Sequence, residues 1–165
     1  MEIHQPENGS FRIDLSATNT LPPRGEEFIR IVIRFEYALK EIGYCRAGSG
    51  EGAEVCWDKF VNQRLGPAFF ERIKEAHVAV TILTEPPSKQ VVVNERLDWK
   101  PGVVPDNIQD LFVAIRRVRN NLLHGGKAGD IDHDRNANLV SESIAVLLEV
   151  LKFDEELRMM FEGRH

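Results

Sequence analysis

In the stretch VRNNLLHGGK, residues 118–127, an arginine, an asparagine and a histidine fall close together: Arg119, Asn120 and His124. Their chemistries are complementary. A guanidinium carries a planar fork of donors that matches phosphate oxygens and keeps its charge at any physiological pH. An imidazole titrates near neutrality and can take or give a proton. A carboxamide can hold either group in place. Together they could serve phosphodiester cleavage, as in a nuclease, where protons must move and charge at phosphorus must be stabilised. That chemistry calls for no metal and no cofactor.

A helix must position these residues. Ile108, Phe112, Ile115, Arg119 and Leu122 are spaced four, three, four and three residues apart, which is one face of a helix. Asp106 and Asn107 can cap its start, and Gly125 and Gly126 stop it. Arg119 thus occupies a place its neighbours reserve for hydrocarbon. A buried, unpaired guanidinium costs several kcal/mol, so it must reach a carboxylate, a carbonyl, a cleft or a second chain. Glu36, on the flank of an earlier apolar stripe, is the carboxylate that could orient it. A regular helix would set Arg119 and His124 about 140° apart. Either the helix end reorients His124, or a two-fold partner brings a second copy alongside. Arg116, Arg117, Lys127 and Arg135 add positive charge nearby. Arg116, one turn below Asn120, and Lys127 are the candidates for RNA backbone contact, whereas Arg117 is expected on a solvated face away from Arg119.

The remaining elements follow from periodicity. Phe28, Ile31, Val32, Phe35, Leu39 and Ile42 recur at helical spacing after Glu26 and Glu27, with Gly43 as a stop. RAGSGEGAE at 46–54 reads as a flexible loop, followed by two short helices divided at Gly66 and Pro67. Between residues 78 and 100 the β-branched runs VAVTIL and QVVVNERLDW predict short strands or an irregular excursion. A last helix, begun by Asp134 or Asn136, carries Leu139, Ile144, Leu147, Leu148, Leu151, Leu157 and Phe161 inward. Residues 1–24, broken by Pro6, Gly9, Pro22 and Pro23, read as an irregular arm with a short strand at FRIDL; residues 25–165 read as one helical domain. Several amphipathic stripes are most simply buried in an antiparallel bundle, so the fold class is mainly α.

Composition sets bounds. The 165 residues are 42% hydrophobic and 28% charged, with a net charge of −5, so nucleic acid would have to be met by a local basic patch. No apolar run is long enough for a bilayer, and the N-terminus lacks the pattern of a signal peptide, which points to a cytoplasmic protein without membrane contact. Cys45 and Cys56 are expected as reduced thiols near helix ends. DIDHD at 130–134 starts like a calcium loop, but Arg135 and Ser141 stand where that loop needs glycine and glutamate. GSGEG at 48–52 follows a helix and lacks a P-loop lysine.

Arg119-Asn120-x-x-x-His124 resembles the R-x4-6-H motif of the HEPN superfamily, in which a polar residue often follows the arginine. RNNLLHGGK is similar to stand-alone bacterial members, and RFEYALKEIGY at 34–44 with the later CWDKF resembles the first two helices of a plasmid-associated group. The resemblance spans roughly residues 28–160. It implies an up-and-down bundle, usually a homodimer whose motifs meet at the interface, and a metal-independent RNase. By that resemblance His124 transfers protons, Arg119 grips the scissile phosphate and Asn120 orients one of them. A toxin with an antitoxin protein partner, or a phage-defence effector, is the implied setting. The chain departs from some members in lacking a carboxylate pair just upstream of the motif, where Asp110 is the lone acid. A non-catalytic HEPN domain that binds protein or RNA is the alternative.

Overall fold

Helix α1 (Gly25–Glu41) forms on the first apolar stripe and buries Phe28, Val32, Phe35 and Leu39. The computed structural model describes residues 11–19, 21–124 and 132–164. The glycine-rich segment that follows is the tip of a hairpin: β1 (Cys45–Ala47) pairs antiparallel with β2 (Ala53–Val55), and the Gly48 N–H donates to the Gly52 carbonyl at 2.8 Å. The composition that suggested a flexible loop supplies the turn, and the flanking residues pair. Cys45 accordingly opens a strand and is exposed, while the free Cys56 lies just ahead of α2 (Trp57–Phe60).

Helix α2 runs through one wide turn, Val61–Leu65, into α3 (Gly66–Glu75), where Pro67 occupies the first turn. Trp57 ties this region to two other helices. Its ring stacks on Phe35 of α1 at 6.1 Å and tilts against Phe112 at 5.8 Å. Phe112 belongs to α5 (Ile108–Leu123), which starts at Asn107, whose side chain accepts the Asp110 N–H at 2.8 Å.

Residues 78–100 divide between two structures. VTILT forms a short helix, α4 (Val80–Thr84), despite its β-branched residues. The reason lies 60 residues away: both carboxylate oxygens of Glu142 accept the N–H groups of Thr81 and Ile82 at 2.9 Å, satisfying donors that a helix start leaves free. The second run forms strands, one of the two alternatives expected there, and they pair as a hairpin: β3 (Lys89–Val93) antiparallel with β4 (Arg96–Lys100). Its two turn residues, Asn94 and Glu95, have φ of 50° and 61°, the left-handed values a two-residue hairpin turn demands.

The last helix is two. Helix α6 (His133–Phe153) starts at Asp132, whose carboxylate accepts the Arg135 N–H, so neither Asp134 nor Asn136 is the cap. It ends at Asp154, which is extended (φ −111°, ψ 100°) and caps α7 (Glu155–Glu162) through the Leu157 N–H at 3.0 Å. Arg64 fixes the break with two bonds of 2.7 Å to that carboxylate. Apolar spacing runs on through Leu157, which is why periodicity alone suggested one helix.

Helix α1 packs against α5, α6 and α7, α4 against α5 and α6, and β3 against α5. The protein is mainly α with two small antiparallel sheets. FRIDL is not a strand; the described part of the arm contains a 3-10 turn at Ser16–Thr18. No described helix is long and apolar enough to cross a membrane.

Candidate functional site

A cleft of about 400 Å³ runs along α5 and is closed on one side by the start of β3. Its walls include Lys89, Arg116, Arg117, Arg119, Asn120 and His124, with no carboxylate among them. Arg116, Arg119, Asn120 and His124 thus border one space within a single chain. Lys127, Gly125 and Gly126 lie outside the described residues.

The helix geometry explains which residues meet. Val113, Arg117, Asn120 and His124 are spaced four, three and four apart and form their own face of α5, beside the apolar stripe. Arg117 therefore does not sit apart on a solvated face: it shares the face of His124, and Arg119 reaches in from the flank. Counted from Arg119, Arg117 falls on the far side of the helix. Measured from His124, the spacing makes Arg117 the nearer relation. At His124 the backbone leaves helical geometry (φ −97°, ψ 14°), and its N–H donates to the Asn120 carbonyl at 2.9 Å.

Of the partners open to it, Arg119 takes the carboxylate of Glu36. Its Nη2 lies 3.0 Å from Glu36 Oε1 on α1, with both side chains about three-quarters buried. Its Nε is buried and has no hydrogen-bond partner, leaving a donor unused. Arg116 rests on the Trp57 ring, 5.7 Å from its centroid, and its Nε donates to the Phe112 carbonyl at 3.3 Å. Burial pulls the Arg116 guanidinium below its ordinary value against the attraction of Asp58, and the neighbouring Arg119 charge pulls the same way. Among the described residues, Lys89, Arg116 and Arg117 have no ion pair, whereas Arg24, Arg64, Arg72, Lys74 and Lys152 each have one.

Lys89 and Gln90 were invisible to the sequence argument because a strand 30 residues from the motif brings them in. Three contacts hold the segment before them. The buried Asn121 donates to the Ser88 carbonyl at 2.9 Å, Arg135 donates to the Glu85 and Pro86 carbonyls, and Gly102 lies so close that a Cβ there would stand 2.5 Å from the Pro87 oxygen. Arg135 is thereby spent on backbone and is not a wall of the cleft. The two adjacent asparagines divide their work: Asn120 borders the cleft and Asn121 anchors the hairpin.

Among the described residues no three His, Cys, Asp or Glu side chains converge in a metal-binding group. No protein-family model, curated protein or solved structure matches the chain.

Proposed function

We propose that the protein is a metal-independent endoribonuclease of the HEPN type, an up-and-down helical bundle acting as a homodimer on cytoplasmic RNA. The observation that carries this reading is the cleft along α5, where Lys89, Arg116 and Arg117 have no ion pair among the described residues beside His124, in a chain whose net charge is −5. Cations left unpaired in an acidic protein fit a polyanion.

In the proposed reaction the 2′-oxygen attacks phosphorus and the bond to the 5′-oxygen breaks, leaving a 2′,3′-cyclic phosphate and a 5′-OH. His124 takes the 2′-OH proton, and a proton is delivered to the departing oxygen. In-line displacement puts those oxygens on opposite sides of phosphorus, so a second His124 from a two-fold partner supplies the other proton-handling group. The guanidinium groups of Arg119 and Arg117 stabilise charge on the non-bridging oxygens, and Asn120 orients the histidine or the phosphate. The RNA-binding role extends to Arg116 and, by resemblance, to Lys127. A toxin restrained by an antitoxin protein, or a phage-defence effector, is the corresponding setting.

A second reading has its own support. The 3.0 Å Glu36–Arg119 pair joins α1 to α5, as a structural arginine would, and suits a non-catalytic module that binds RNA or protein. The test is cleavage of total RNA and tRNA in excess EDTA. Wild-type cleavage that Arg119→Ala and His124→Ala both abolish, with unchanged circular dichroism, is the expected result; no cleavage by the wild type would favour the binding module.

A further inference from the structure

Arg116 and Arg119 border a second cleft on their other side, of about 350 Å³, which also includes Lys40 of α1 and Arg46 and Glu54 of the first hairpin. The two clefts therefore share these arginines as a common ridge. The second differs in kind from the first. Its walls contain two carboxylates, Glu36 and Glu54, as well as cations. Glu54 lies 3.8 Å from Arg46, a loose pair between side chains that are both more than half exposed, and Lys40 has no ion pair among the described residues. Loose exposed pairs are worth little and exchange readily for another anion. The β1–β2 hairpin is thus placed to present a cation beside the ridge.

We infer that the second cleft is a subsite for a phosphate flanking the one held in the first, so that a single-stranded polynucleotide crosses the Arg116–Arg119 ridge, with Lys40 and Arg46 holding its far side. This rests on the proposed function in one respect, that the first cleft takes a phosphodiester. The chemistry is specific to a chain ligand: one anion can fill either cleft, but only a strand with several phosphates fills both. The shared Arg116 has no ion pair among the described residues and stands between the two polar clefts. The mixed lining of the second cleft also suits a nucleotide, which offers acceptor oxygens and, in RNA, a hydroxyl donor.

The test uses the full chain and single-stranded deoxyuridine oligonucleotides, which lack the 2′-OH and cannot be cut by the proposed reaction. Affinities of a dinucleotide and an octanucleotide are measured by titration calorimetry at several salt concentrations. The octamer is expected to bind at least about tenfold more tightly than the dimer, and Lys40→Ala with Arg46→Ala is expected to remove most of that gain. Each lost contact should lower the single-strand salt slope by about 0.7. The double variant should leave the dimer unaffected, and Arg46→Lys should retain octamer affinity. Octamer affinity and salt slope unchanged in the double variant, an equal loss for both lengths, or no octamer binding at all would overturn the subsite. Arg117→Ala separates the two ideas: it should weaken both lengths. If it weakens neither while the octamer still depends on Lys40 and Arg46, the first-cleft reading fails, the subsite as a flanking position fails with it, and the second cleft is left as a phosphate site of its own.

Discussion

Arg117 and Arg119 differ in what already holds them. Arg119 is engaged by Glu36, while Arg117 borders the same cleft with no ion pair among the described residues. A charge-assisted bond from a free guanidinium to phosphate contributes about 1.5–3 kcal/mol, so Arg117→Ala should weaken binding of single-stranded RNA about tenfold or more. Mobility-shift titration at fixed salt measures it, with Arg30→Ala, on the exposed face of α1, as a control expected to change little. At this scale the sequence was readable where a residue contradicted its own neighbours: Arg119 on an apolar stripe had to find a carboxylate, a carbonyl, a cleft or a second chain, and it pairs with Glu36, the candidate carboxylate. Arg117 contradicted nothing near it. Its place became evident only when the face was counted back from His124, and Lys89 gave no local sign because its relation to the cleft is entirely tertiary.

Elements were legible where one stripe determined them and illegible where a distant side chain did. Helices α1 and α5 follow their own spacing, but α4 depends on Glu142 and the α6–α7 break depends on Arg64, 90 residues from Asp154. The break carries a pH signature. Burial pushes the Asp154 carboxyl up, but the Arg64 guanidinium and the Leu157 N–H outweigh it and hold it below its ordinary value. The folded state therefore binds this proton less readily than the unfolded chain. Its stabilisation is present above about pH 4 and is lost as pH falls through the lower folded value. Asp154→Asn should cost about 1–3 kcal/mol at neutral pH and flatten this part of the acid limb, read from urea midpoints at pH 7 and pH 3. The β3–β4 turn gives the opposite sign. Glu95 holds a left-handed conformation that costs a side-chain-bearing residue about 1–2 kcal/mol, so Glu95→Gly should stabilise the protein by about 1 kcal/mol in the same assay.

Among the described residues, charge is unevenly paired. Most described arginines outside the clefts are met by carboxylates or carbonyls, and three of the cations without an ion pair among the described residues, Lys89, Arg116 and Arg117, meet in one cleft along α5 and β3. A net charge of −5 therefore misrepresents the surface a polyanion meets. The chain has two tryptophans: Trp57, 6% exposed beneath the Arg116 guanidinium, and Trp99, 37% exposed on β4. This gives the molecule an optical reporter under its own ridge. In Trp99→Phe the ultraviolet emission comes from Trp57 alone, and that indole senses the cation above it. Adding a single-stranded oligonucleotide should change its intensity saturably, with a midpoint equal to the calorimetric dissociation constant. Arg116→Ala should alter the starting emission and abolish the response, so that occupancy of the ridge can be followed in real time without a label.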